Sequence, residues 1–281
     1  MKIFCIFAVK YKYWSVMIRG GRNDYKIAIH ILLLWWVMMG VENESRAQMD
    51  TRTVFLLNSA ADIPAAYCFI PASTISLGVG NDFCTKEMIN SVLRGTYARN
   101  GHNLLLSLSH YGYHAFGEMT MQAGYGKCFG GRVAVTFQGV YMMQHARHYA
   151  CQHSVTFALS FYYAITGKLN VGVAVFNPAA LKYGVVGHET IPIRFYMQIG
   201  YLPDRRLAGS LFCEKSLPGP FNAGIRLLYH PIPNLFLETR CGLSNLSFHT
   251  SVPWRRFRFG CSAQWNYKVG FSPACQIDCV F

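Results

Sequence analysis

The 281-residue chain is 52% hydrophobic and 15% aromatic, yet only 14% of its residues are charged, well below the quarter that is usual for a soluble domain. An apolar run of about 20 residues, which a transmembrane helix needs, does not occur after residue 41, so a helical membrane bundle is excluded. The net charge of +13 is scattered along the chain, which disfavours a nucleic-acid partner.

The first 47 residues have the pattern of an export signal. An apolar run over residues 27–41 follows a basic segment and precedes a polar stretch that ends at Ala47. A basic segment, a short apolar segment and a small final residue are typical of a secretory signal peptide. We predict a signal peptide over residues 1–47, with Met17 as an alternative start. A single membrane anchor is the other interpretation, but the run is short for it.

After a segment over residues 48–72, for which we predict a periplasmic or luminal position, apolar and polar residues alternate. Leu104, Leu106 and Leu108 share one face of a predicted strand, and Ser107 and Ser109 share the other. The same period of two recurs to the end of the chain. A β-strand places alternate side chains on opposite faces, so each strand has one apolar face and one small or polar face.

About fourteen strands are predicted in this region. Their ranges are 73–80, 90–99, 102–111, 118–128, 131–143, 152–164, 168–177, 191–202, 205–214, 221–230, 233–242, 244–251, 255–267 and 272–281. Many reach about ten residues, the length of a tilted membrane crossing, whereas strands of soluble sandwiches or lipocalin-like barrels are shorter. The predicted fold is all-β: a transmembrane antiparallel up-and-down β-barrel of 12–14 strands over residues 73–281.

Charged side chains are predicted on the inner face of this barrel. By strand parity we expect the following residues to line the lumen: Arg194, Arg226, Glu238, Arg240, Arg256 and Arg258. Glu238 and Asp278 are the available partners for the arginines. A buried guanidinium needs a partner or water, so the set forms either a structural ladder or an aqueous path. A basic path would favour anionic or amphiphilic solutes.

Catalytic and metal-binding patterns are weak. His145, His148 and His153 fall in one predicted loop, but no carboxylate or cysteine pair accompanies them at ligand spacing. No nucleophile elbow is found, and no Asp is placed to orient a His beside a Ser. We predict no enzymatic activity, no metal site and no cofactor.

Ten cysteines are many for an exported protein, and none forms a CxxC pair. Five of them lie in strand patterns and are interpreted as small hydrophobic residues: Cys213, Cys241, Cys261, Cys275 and Cys279. Loop cysteines such as Cys84 and Cys151 could form disulfides, whose pairing the sequence does not reveal.

The C-terminal quarter resembles a known family. Residues 221–225, 228–231 and 234–237 are similar to a hairpin repeated in Bacteroidetes outer-membrane barrels, and residues 257–260 and 269–281 are similar to the last hairpin of that group. The group belongs to the superfamily of the fatty-acid transporter FadL, in the branch that includes PorV of type IX secretion. The resemblance implies a fourteen-stranded barrel that passes or binds a hydrophobic or amphiphilic solute. The alternative is a scaffold or docking component of a surface or secretion complex.

The family often carries an Asn-Pro-Ala-Gly segment that packs into the lumen. Its nearest counterpart here is residues 62–66, which lack both the Asn and the Gly. Other expected partners are outer-membrane lipid, the barrel insertion machinery and a hydrophobic or anionic small molecule, with no nucleic acid. Phe281 ends an alternating strand with an aromatic, which resembles the signal that the insertion machinery recognises.

Overall fold

The computed structural model describes residues 49–85, 87–147, 151–182, 191–232 and 234–281. The predicted signal peptide lies outside the described residues. Among the described residues, an α-helix, α1 (Thr51–Ala60), and a 3-10 helix (Pro64–Phe69) precede the sheet, and a short 3-10 turn (Asp82–Cys84) follows the first strand. No helix among the described residues is both long and apolar enough to cross a membrane.

Fourteen strands make up the sheet. They are β1 (Thr74–Asn81), β2 (Ile89–Arg99), β3 (His102–Gly112), β4 (Phe116–Phe129), β5 (Val133–Ala146), β6 (Gln152–Ala164), β7 (Leu169–Phe176), β8 (Ile193–Tyr201), β9 (Leu207–Leu217), β10 (Phe221–Ile232), β11 (Leu235–Gly242), β12 (Asn245–Trp254), β13 (Phe257–Asn266) and β14 (Gly270–Val280). Each strand pairs antiparallel with its neighbours in the chain, and β1 pairs with β14 to close the barrel. The predicted fold class is confirmed.

The outer face of the barrel is apolar and the inner face is polar. On β3, Leu104 and Leu106 are 57% and 65% exposed, whereas Leu105 between them and Asn103 before them are buried. On β5, Phe137 faces outward, and its neighbours Thr136 and Gln138 are buried. A soluble lipocalin-like barrel would have the apolar face inside, so the observed orientation excludes that alternative and fits a barrel surrounded by lipid.

Residues 49–72, which we call the plug, lie inside the barrel. Hydrogen bonds join the plug to strands on different sides of the lumen: Ala65 N–H to Ser160 Oγ on β6 (2.9 Å) and Gln198 Nε2 on β8 to Ser59 Oγ (2.9 Å). A third bond runs from Asn103 Nδ2 on β3 to the Tyr67 carbonyl. Contacts spread around the sheet in this way place the segment at the barrel centre.

Local sequence signals form the plug. Asp50 caps α1 by accepting a hydrogen bond from the Thr53 N–H at 2.7 Å, and Pro64 opens the 3-10 helix, where its missing N–H costs nothing. Val54 and Phe55 are fully buried against the barrel wall. A helix that is apolar on several faces must be buried all round, and the lumen supplies that environment.

The two ends of the barrel differ. The turns at the end that holds Ser73 and Phe281, which we call the terminal end, are short, and the longer connections at the opposite loop end are 82–88, 147–151 and 177–192. The connections between predicted strands at 112–117 and 215–220 shorten to 113–115 and 218–220, because β4 begins earlier and β9 ends later than predicted.

Candidate functional site in the plugged lumen

A charged cluster joins the plug to the barrel wall. Arg226 Nη2 lies 2.8 Å from Asp62 Oδ2, Arg240 Nη1 lies 3.4 Å from the same oxygen, and Arg226 Nε lies 3.5 Å from Glu238 Oε1. Arg226 on β10 and Arg240 on β11 are direct cross-strand partners, an arrangement in which like charges repel. Because Asp62 contacts both guanidinium groups, the plug removes a repulsion built into the wall.

Asp62 is suited to this role by its charge state. Burial raises the pKa of the Asp62 carboxyl, but the positive charges of Arg226 and Arg240 and the hydrogen bond from Arg226 lower it more, so the pKa lies below its ordinary value of 3.8. The carboxylate is therefore ionised at neutral pH, and its side chain remains 26% exposed. The guanidinium of Arg240 also stacks on the Phe212 ring, with Cζ 4.1 Å from the ring centroid.

A second ion pair lies deeper in the wall. Arg258 on β13 faces Asp278 on β14, with Nη2 2.6 Å and Nε 2.7 Å from Asp278 Oδ2, and both side chains are almost fully buried. Arg258 Nη1 also donates to Asn58 Oδ1 of the plug at 2.8 Å, and Asn58 Nδ2 donates to Glu238. Asn58 thus links the two charged clusters, and paired charges offset the cost of removing these groups from water.

The residues predicted to line the lumen fall into three groups. Arg226, Glu238, Arg240 and Arg258 contact the plug or one another as described above. Arg194 lies apart from them near the loop end of β8, exposed, with its guanidinium 5.7 Å from the Phe176 ring centroid.

The strand that was predicted to carry Arg256 begins later than expected. A strand over 255–267 would place Arg256 on the inner face, but β13 begins at Phe257. Arg255 adopts a left-handed conformation (φ 56°), so residues 255 and 256 form the turn that follows β12 at the terminal end. Arg256 thus lies one residue before β13, and its carbonyl accepts a hydrogen bond from the Val280 N–H at 2.9 Å. Its place in the lumen lining stays a prediction.

Asp62 and Asn58 were not predicted as site residues. Both belong to the plug and lie more than 150 positions from the strands they contact. The departure of residues 62–66 from the family pattern was visible in the sequence, and its Asp is the residue that the wall arginines bind. The signal available in the sequence was an acidic residue, Asp62, in a segment that directly precedes a barrel rich in arginine.

Glycines on the inner face make room for the plug. A Cβ atom at Gly172 on β7 would lie 2.5 Å from Ile63 Cδ1, and one at Gly200 on β8 would lie 2.7 Å from Phe55 Cζ. Real side chains do not approach so closely, so the wall and the plug fit each other only because these positions lack a side chain. The small residues of the inner face noted in the sequence have this packing role.

The plug divides the lumen. Between the plug and the loop end lies a cavity of about 400 Å³, whose lining includes Arg94, Arg194, Tyr67, Gln138 and Ser109. Arg94 also lines an adjoining cavity of about 200 Å³ next to the charged cluster. A wider recess of about 880 Å³ opens at the terminal end, beneath α1. The cavity at the loop end is polar and offers arginine side chains to a solute.

Phe281 lies one residue beyond β14. Its N–H donates to the Ser73 carbonyl at 3.0 Å, and its carbonyl accepts from the Ser73 N–H at 2.9 Å. The last residue of the chain thus extends the seam at which β14 meets β1. Its role as an assembly signal stays a prediction.

The described residues contain no cluster of three or more His, Cys, Asp or Glu side chains that could hold a metal ion. Of the three histidines considered, His148 lies outside the described residues, and His153 Nδ1 is hydrogen-bonded to the Tyr141 hydroxyl at 2.7 Å. Cys84 and Cys151 are both exposed and form no disulfide in the described part of the chain.

No protein-family model and no curated protein matches the sequence. Solved structures do match the fold. The Pseudomonas putida toluene transporter TodX has a TM-score of 0.56 at 9% identity, over 79% of this chain and 92% of that one. The CymD monoaromatic hydrocarbon channel has a TM-score of 0.58 at 9% identity, over 78% and 91% of the two chains. The Ralstonia pickettii toluene transporter TbuX has a TM-score of 0.57 at 8% identity, over 79% and 93%. At these identities the likeness establishes a shared barrel fold.

Proposed function

We propose that the chain is an outer-membrane barrel of a Gram-negative bacterium that takes in a small amphiphilic solute with an anionic head. The apolar outer face and the paired, edge-free sheet are what a bilayer requires of a spanning structure. The similar structures, which are described as hydrocarbon channels or transporters, support a transport role. The Bacteroidetes origin and the PorV-like branch stay predictions from the resemblance.

The observation that carries the solute class is the pair Arg94 and Arg194 in the cavity at the loop end. Neither arginine forms a salt bridge among the described residues, whereas Arg226, Arg240 and Arg258 all do. A guanidinium binds a carboxylate in a planar, two-pronged geometry. Val92 and Leu105 of the same lining supply an apolar surface for the rest of the solute.

The remaining lining is consistent with a polar head group. Glu118 contributes a negative charge to the cavity, but Gln144 Nε2 donates a hydrogen bond to it at 3.3 Å. A neutral hydrocarbon would leave the Ser, Gln and Arg groups of this lining without partners, which costs binding energy. Passage beyond the cavity requires the plug to shift, because its residues fill the barrel centre.

Benzoate and toluene distinguish a solute with an anionic head from a neutral hydrocarbon, because they share a ring and only benzoate carries a carboxylate. We expect benzoate to raise the thermal unfolding midpoint of the purified barrel more than toluene does, and we expect Arg94→Gln and Arg194→Gln to remove the difference. Arg99→Gln is the matched control, because Arg99 is an exposed residue of the same strand β2 outside this cavity. Equal protection by toluene would contradict the anionic head.

Planar-bilayer conductance tests passage itself. Benzoate-dependent current through the full barrel supports transport. If the barrel shows no conductance and no solute protects it from unfolding, the scaffold or docking role remains. That role has no support among the similar structures.

A further inference from the structure

Two cysteines of the last hairpin lie directly opposite each other on the outer face. Cys261 on β13 and Cys275 on β14 are cross-strand partners, their Sγ atoms are 3.5 Å apart, and both side chains are exposed. We propose that they form a disulfide that links β13 to β14. The proposal rests on the proposed export to the outer membrane, because only an oxidising compartment allows such a bond to persist.

The register supports this pairing. The Val280 N–H donates to the Arg256 carbonyl at 2.9 Å, so these directly opposed residues form a hydrogen-bonded pair of the antiparallel ladder. Hydrogen-bonded and non-hydrogen-bonded pairs alternate along such a ladder. Counting along the same register from this pair makes Cys261 and Cys275 a non-hydrogen-bonded pair, in which the Cα atoms lie about 4.5 Å apart. A disulfide accepts Cα separations of about 4.4–6.8 Å, so the backbone need not move far.

The other strand cysteines lack this arrangement. Cys213 lies opposite Met197 and Ala223, and Cys241 lies opposite Ile225 and Leu246. Cys279 lies opposite Phe257 and Ile75. Their partners contain no thiol, so they serve as matched controls on the same barrel.

The chemistry is thiol–disulfide exchange with a disulfide-bearing oxidoreductase of the periplasm. One thiolate attacks the oxidant's disulfide and forms a mixed disulfide, and the second thiolate displaces the oxidant's sulfur. Two electrons and the two thiol protons pass to the oxidant, whose S–S bond breaks and becomes two thiols, and one S–S bond forms in the barrel. Because both sulfurs face lipid in the finished barrel, we expect the exchange to precede insertion. The bond then holds β14 to β13 until the free edge of β14 pairs with β1 and closes the barrel.

Peptide mapping tests the pair in the full chain. Protein from membranes of exporting cells is alkylated under denaturing conditions before and after reduction. We expect a peptide pair joined through Cys261 and Cys275 that separates on reduction, and we expect it to vanish in both Cys261→Ser and Cys275→Ser. Cys241→Ser should leave it intact. Reduction should also lower the temperature at which the barrel converts to its unfolded mobility on a gel.

Two controls keep the outcomes distinct. Alkylation of both thiols before reduction, in protein that fractionates with the outer membrane, would overturn the disulfide while leaving the location intact. Absence of the protein from the outer membrane would contradict the proposed location. Refolding the chain in detergent with a glutathione redox buffer then tests the pair without export: free thiols there would show that the geometry does not support the bond.

Discussion

Arg226 of the barrel wall and Asp62 of the plug form a salt bridge of 2.8 Å between segments that are 164 positions apart in the chain. Arg240, the cross-strand neighbour of Arg226, contacts the same carboxylate oxygen. The wall therefore presents two like charges that need an anion between them, and the plug supplies it.

Asp62→Asn should loosen the plug while the barrel stays closed. The substitution keeps the shape of the side chain but removes the charge that offsets two guanidinium groups, at a cost of about 3 kcal/mol. Hydrogen exchange followed by mass spectrometry should show faster exchange in α1 and little change in β10. Asp204→Asn, in an exposed turn, is the control. Unchanged exchange in α1 would show that the ion pair does not hold the plug.

Acid should weaken the same contact. The pKa of Asp62 is lower in the folded state than its ordinary value of 3.8, so its stabilisation is complete above that value and is lost as the pH falls through the folded pKa. The difference in unfolding free energy between the native chain and Asp62→Asn should hold steady near neutrality and shrink below about pH 4. A difference that grows in acid would contradict the assignment.

Strand positions could be predicted from the sequence because each strand faces lipid on one side and the lumen on the other. This environment imposes the alternation seen at Leu104, Leu106 and Leu108. For the same reason, Arg258 could be predicted on the inner face, with Asp278 as one of the available partners. The start of β13 was predicted two residues too early, because Arg255 has a left-handed conformation and the alternation begins only at Phe257.

The plug contacts could not be predicted in the same way. α1 has no alternating pattern that relates it to a strand, and its partners are decided by how the segment enters the finished barrel. Asp62 and Asn58 bind arginines that become neighbours only when β10, β11 and β13 are in place.

Gly172→Leu should displace the plug by steric overlap. A Cβ atom alone would lie 2.5 Å from Ile63 Cδ1 and 2.9 Å from Tyr162 Cδ2, so a larger side chain leaves no room for the 3-10 helix. Overpacking of this kind costs about 1–3 kcal/mol, and we expect increased conductance and faster exchange of residues 64–69. Gly139→Leu, where the nearest atom to the added Cβ is the Ala123 carbonyl oxygen at 3.9 Å, should change neither.

Phe281 can be tested by separating its backbone from its ring. Phe281→Ala keeps both hydrogen bonds to Ser73, whereas deletion of the residue removes both. If the aromatic ring is the assembly signal, both variants should accumulate unassembled in the periplasm. Assembly of Phe281→Ala at the native level, with failure of the deletion alone, would assign the effect to the seam and contradict the aromatic signal.

The orientation of the barrel wall can be tested most directly at two adjacent residues of β3. Leu106 is 65% exposed on the outer face, and Ser107 points toward the lumen cavity. An arginine facing the middle of a bilayer costs about 2–4 kcal/mol, whereas one in a wet lumen costs far less. The measurement is heat-modifiable gel mobility of the outer-membrane fraction for Leu106→Arg and Ser107→Arg. We expect a fast-migrating folded band for the native chain and Ser107→Arg and a strongly reduced band for Leu106→Arg. Equal folding of both variants, or a native chain found as a soluble product, would contradict a barrel with Leu106 facing lipid.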